Sequence, residues 1–204
     1  VIHVPLDNVT TNLARTQKID AQRQVPVSTN VPAIFVSEKK PSILVLIGGQ
    51  PALVELAGTP YQTVANTEWV IVFDKSSSTY YLLANDTWVQ TKNLLNGPWE
   101  KAAQVPNLSG APADSRVAKS IAAAKVTPSA PLPGVFVSTK QAALIVFDGA
   151  PQWQAIQGTN LQLAANTDQP VLKATDTSAV YSLLSGRWFS APSLTGSWSY
   201  VAPD

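Results

Sequence analysis

The sequence predicts a mainly β protein: two tandem small antiparallel β-barrel or sandwich domains, with an N-terminal helix and a short linker helix. Three observations lead there. The chain repeats itself at long period, and each copy breaks into short apolar runs rich in β-branched and aromatic residues. Two stretches outside the copies carry helical spacing instead of alternation.

The repeat is direct. At an offset of 100, set by Leu44 and Leu144, the window 44–88 matches at Gly49, Pro51, Gly58, Thr59, Gln62, Ala65, Asn66, Thr67, Ser78, Tyr81, Leu83 and Trp88. Composition alone would give roughly three such matches. The similarity continues outward, with Pro32 to Ser37 answering Pro133 to Ser138, and Leu95, Gly97 and Trp99 answering Leu194, Gly196 and Trp198. A period this long exceeds that of solenoids and propellers and implies two domains. The division is 1–30 as a helical lead-in, 31–104 as a first β module, 105–132 as a linker with a short helix, and 133–204 as a second β module. Each module sits near the lower limit for a self-sufficient core, so the two are expected to pack together or lean on the helices.

Along the lead-in, Leu6, Val9 and Leu13 fall at i, i+3 and i+7, with Asp7 as N-cap and Arg15, Lys18 and Arg23 toward the C-terminal end; this reads as an amphipathic helix over 6–24. The strands of the first module follow at Ile34 to Ser37, Ile43 to Ile47, Ala52 to Leu56, Tyr61 to Ala65, Trp69 to Phe73, Thr79 to Ala84 and Thr87 to Thr91. Gly48-Gly49, Ser76 to Ser78 and Asn85-Asp86 supply turns. In the linker, Asp114 is the expected cap of a short helix ending near Lys125, with Val117 and Ile121 on one face.

Strand alternation sorts the aromatic residues. A two-residue turn at Asn85-Asp86 sets Leu83 opposite Trp88 and Leu82 opposite Val89; Ser185-Gly186 does the same for Leu183 and Trp188. Tyr81, Leu83 and Trp88 share one face and are identical in both copies, so that face is expected to be the core. The other face carries Leu82 and Val89 in one copy but Ser182 and Phe189 in the other, and is expected to be outside. The Gly-x-Trp ends at Trp99 and Trp198 read as lids on the core, with ligand contact at Trp198 as the alternative. Trp153, Phe189 and Tyr200 then stand as an exposed aromatic surface.

Composition removes several function classes. The 204 residues carry a net charge of +1 with 13% charged residues, leaving no basic field for nucleic acid or anionic lipid. No apolar stretch approaches the length of a membrane helix. Cysteine is absent, and the one histidine, His3, lies near the start, which removes thiolate chemistry and multi-histidine metal sites. No cofactor fingerprint follows a strand. The acidic pair common to both modules, Glu68 and Asp168, sits in Asn-Thr turns, and a hydrolase dyad of Asp148 with Asp168 or Asp176 is a remote third option. Many Ser, Thr, Asn, Gln and Pro residues, with neither Met nor Cys and a start at Val1, read as an exported mature protein or a piece of a longer one.

The second module, through Pro133-Gly134-Val135-Phe136-Val137-Ser138, Ala143 to Pro151, Ala165-Asn166-Thr167-Asp168, Tyr181 to Phe189 and Ser193 to Trp198, resembles the repeated segment of large bacterial proteins labelled carbohydrate-binding family V/XII-like. The first module departs from it, with Asn85-Asp86-Thr87-Trp88 where the second has Ser185-Gly186-Arg187-Trp188. The resemblance implies a segment of a longer polypeptide and carries no established binding residues. The resulting expectation is a non-enzymatic binding module of the periplasm or cell surface, without cofactor or metal. Its ligand residues would be Trp153, Phe189, Trp198, Tyr200 and Arg187, and its partner a polysaccharide. The alternative is a scaffold that joins envelope proteins or copies of itself.

Overall fold

The structure, a computed structural model, describes residues 28–127 and 130–202. The helix expected over 6–24 lies outside the described residues. The first copy contributes β1 (Ala33–Ser37), β2 (Ser42–Leu46), β3 (Leu53–Glu55), β4 (Tyr61–Val64), β5 (Ile71–Asp74), β6 (Thr79–Ala84), β7 (Thr87–Thr91) and β8 (Glu100–Lys101). The linker forms helix α1 (Arg116–Ala123). The second copy repeats the series as β9 (Gly134–Ser138), β10 (Ala142–Val146), β11 (Trp153–Ala155), β12 (Leu161–Ala164), β13 (Val171–Ala174), β14 (Val180–Leu184), β15 (Arg187–Ala191) and β16 (Ser199–Tyr200). Mainly β is thus the observed class.

Two six-stranded antiparallel meanders, β3 to β8 and β11 to β16, run in sequence order. The first and last strand of each do not pair, so neither closes into the expected barrel. Closure needs a full ladder between the outer strands, and β8 and β16 offer two residues each. The hairpin register is the one the sequence predicts, with Leu83 opposite Trp88 and Leu183 opposite Trp188.

The opening strands cross between copies. β1 pairs in parallel with β10, placing Phe35 opposite Leu144, and β2 pairs in parallel with β9, placing Leu44 opposite Phe136. Alternating side chains carry the exchange into both cores. Val135 and Val137 of β9 join Ile43, Val45 and Ile47 over the first sheet, while Ile34 and Val36 of β1 join Ile145 and Phe147 over the second. The equivalent rings of Phe35 and Phe136 meet at 5.5 Å between centroids. Gly134 makes room for its partner Ser42 in the β2–β9 ladder, because a Cβ there would stand 2.5 Å from Ser42 Oγ. The described residues from Val31 onward form one compact unit.

The inner faces of the sheets correct the expectation that this side lies outside, while Leu83 and Trp88 on the opposite face of the first sheet are buried as expected. Leu82 and Val89 are fully buried, and so are Ser182 and Phe189. Leu82 is the direct cross-strand partner of Val89, as Ser182 is of Phe189. A large and a small residue in one copy therefore replace two of middle size in the other, which conserves volume in a close-packed layer. Tolerance of serine marks compensation, not exposure. The Ser182 hydroxyl has no hydrogen-bond partner among the described residues, which costs about 1 to 3 kcal/mol.

Helix α1 is capped by Ser115, whose Oγ accepts the Ala118 N–H at 3.2 Å, and not by the expected Asp114. Ser115 sits directly before the first helical residue, where a side-chain oxygen reaches the third amide. Val117 is buried and Ile121 partly buried against the outer face of the first sheet.

Candidate functional site

The residues common to both copies mostly hold loops. The Asn66 amide donates to the carbonyls of Gly48 and Gln50 at 3.0 and 2.8 Å, and its Oδ1 accepts the Ala52 N–H at 2.9 Å. Asn166 repeats this with Asp148, Ala150 and Gln152. Thr67 adds a bond to the Leu46 carbonyl at 2.7 Å. These asparagines clamp the entry to each meander, in line with the turn reading. Asp168, 91% exposed, pairs with Lys40 at 3.4 Å, and Asp176 accepts the Thr177 N–H at 2.8 Å. On the first sheet, hydrogen bonds from Lys75 and Gln62 hold Glu55 below its ordinary value. Bonds from Ser76, against a smaller opposing effect of burial, and from Ser77 do the same for Asp74.

The expected aromatic ligand surface is not an open platform. Phe189 is fully buried in the core of the second sheet. Tyr200 meets it edge-on with centroids 6.1 Å apart, and Arg187 lies over its ring at 5.2 Å. Trp153 and Trp198 are partly buried against the same cluster. Leu53 occupies the Trp153 position in the first copy, also packed on its core. Trp99 and Trp198 lie on their cores as the lid reading expects, each with a buried indole N–H lacking a partner among the described residues. Gly97 supplies the positive φ expected there, at 65°, whereas Gly196 does not.

Two surfaces of the second sheet stand out. One is a cleft of about 330 Å³ where Trp153 and Lys173 face Ser178, Ser193 and Thr195, with the Lys173 ammonium 5.6 Å from the Trp153 ring centre. The other is the outer face of the second sheet, where Leu161, Leu172, Tyr181, Trp188 and Val201 line a wholly apolar hollow of about 260 Å³. Ile156 and Leu163 extend the apolar exposure on the same sheet.

The first sheet explains why that face matters. Its counterparts Leu56, Val72, Leu83 and Trp88 are buried, together with Val70, beneath Leu108, Ala111 and α1. Burial raises the Tyr81 phenol above its ordinary value there. The Arg116 guanidinium fastens α1 by donating to the carbonyls of Glu68 at 2.8 Å and Trp69 at 3.0 Å. Asp86 holds the far end, its Oδ1 accepting the Lys125 N–H and its carbonyl the Thr127 N–H. Trp188 is 37% exposed where Trp88 is 4% exposed. Sequence reasoning placed Trp188 in the core; the available signal was that two outer faces exist but just one linker of this make lies between the copies.

No protein-family model, curated protein or solved structure matches the chain. Among the described residues no helix is long and apolar enough to cross a membrane.

Proposed function

We propose that the chain is a non-catalytic binding and assembly module whose working surface is the open outer face of the second sheet. The observation that carries this reading is the apolar hollow of Leu161, Leu172, Tyr181, Trp188 and Val201, whose equivalent on the first sheet is buried under the chain's own linker. Contiguous apolar area of this kind favours protein association. In this reading the repeats act as paired modules of an exported, envelope-associated bacterial polypeptide. The test is sedimentation velocity over a concentration series, comparing the wild type with Leu172→Asp. Association in the wild type that the variant loses is the expected result. A strictly monomeric wild type, or association equal in both, overturns the assembly role of this face.

A second reading, glycan binding, rests on the Trp153 cleft, where an indole adjoins three hydroxyl-bearing side chains. It also accords with the resemblance to the carbohydrate-binding V/XII-like segment. Affinity electrophoresis through polysaccharide gels tests it. Trp153→Ala should lose retardation while keeping its fold, and equal retardation by wild type and variant removes this reading.

A further inference from the structure

We infer that the open face of the second sheet is a docking seat for an amphipathic helix of α1's chemistry, with a Val/Ile/Ala stripe and an arginine, offered by a separate polypeptide. The inference rests on the assembly reading above and names the partner class. Its basis is that the molecule already contains one filled version of the seat. On the first sheet the occupant is a short helix that lays Val117 and Ile121 on Trp88, Leu83 and Val72, preceded by Leu108 and Ala111. Trp188, Leu183 and Leu172 stand at the same positions of the second sheet, on strands with the same pairing.

The filled and open seats differ at their edges in ways that define the guest. In the turn between β3 and β4, Gly58 meets the linker so closely that a Cβ on it would lie 2.0 Å from the Gly110 carbonyl oxygen. Gly158, at the same turn with the same positive φ, has open space around it. The guest's approach path is thus clear. The residues whose carbonyls receive Arg116, Glu68 and Trp69, correspond to Asp168 and Gln169, which places the anchor for a guest arginine at the matching rim. At the other rim Asp86 is replaced by Gly186, so the side-chain half of the latch, the Oδ1 that accepts the Lys125 N–H at the hairpin tip, is missing. A guest helix can run on past that tip, which suits a partner that is not obliged to turn back into the next strand. Within the compact unit from Val31 onward, the described helix of this make is α1, and it is already committed to the first sheet.

The probe is a fluorescein-labelled peptide of residues 105–126, titrated by anisotropy against the full chain, with Trp emission followed in parallel. Saturable binding with a blue shift in Trp emission is expected. Leu172→Asp or Leu161→Asp in the protein should weaken it by about tenfold or more, and Arg116→Ala in the peptide by several-fold. Circular dichroism selects whichever protein variant keeps the β signal. No binding, or binding that the folded variant retains in full, overturns the inference. So does a full chain that refuses the peptide while a chain begun at residue 28 accepts it, since the seat would then be filled from upstream residues. Face-dependent self-association without peptide binding would defeat the helical guest and leave the assembly reading standing.

Discussion

Trp88 and Trp188 sit at the same place in duplicated hairpins, each opposite a leucine, yet one is buried beneath α1 and the other is more than a third exposed. The sheets beneath them are alike, and the difference comes from a segment that lies over just one of them. Identity between the copies therefore records a common surface, and what the surface does depends on its cover. On the inner faces the relation is opposite. The residues there differ, Leu82 and Val89 against Ser182 and Phe189, while the role, a packed core, is the same. On the outer face Tyr81, Leu83 and Trp88 recur as Tyr181, Leu183 and Trp188 although Val72 becomes Leu172, and volume is what persists where the layer is closed.

The largest expected effect divides the two tryptophans. Trp88→Ala should cost about 3 to 5 kcal/mol, as for a buried aromatic, whereas Trp188→Ala should cost about 1 kcal/mol or less. Urea denaturation of both variants measures this, and equal losses would mean that the second outer face is covered in solution. Next in size is the inner-face compensation. Leu82→Ser alone should lose about 2 to 4 kcal/mol and Val89→Phe alone about 1 to 3 kcal/mol through overpacking. The double variant, which copies the second sheet, should recover about 1 to 3 kcal/mol of their sum. Strict additivity would show that the two layers reach their packing independently of this pair.

The smallest effect concerns the turn between β5 and β6, held in the first copy by Asp74 and in the second by a loop with Ala174 at that position. The Asp74 carboxyl lies below its ordinary value of 3.8 because Ser76 and Ser77 hydrogen-bond its charged form. A depressed folded value means the stabilisation is fully present above the ordinary value and is lost as pH falls through the folded one. Asp74→Asn should therefore lower stability at neutral pH by well under about 1 kcal/mol, solvent screening included. Thermal unfolding of wild type and variant should converge in strong acid. A gap that persists there would assign the effect to turn geometry instead of charge.

Much of the fold was readable in advance because its signals are local. The β6–β7 turn and the alternation around it predict the register of Leu83 and Trp88, and Asn66 announces a loop clamp through its place in an Asn-Thr turn. The β8 strand was missed because Glu100 and Lys101 are exposed, charged and paired along an edge, so they carry no apolar alternation. The parallel exchange was missed for a different reason. The run from Ala33 to Leu46 fits a local hairpin as well as it fits two long-range pairings, and nothing in its own residues separates them. The site suffered from the same blindness to partners. Phe189 looked free because Ser182 beside it looked solvent-facing, and Trp188 looked central because its twin is. Each inference needed knowledge of what lies across the layer.

The crossing of β1 and β2 with β10 and β9 has a consequence for descent and for assembly in time. Two unlinked single-copy chains exchanging the same strands would make a symmetric dimer, so this molecule has the form of a dimer fused into one chain. The fusion replaces a concentration-dependent encounter with a tethered one. It also postpones completion: the first strand waits for residues about a hundred positions downstream before its ladder can form. Fragments cut within the linker should each expose half-finished layers and regain a cooperative melt when mixed.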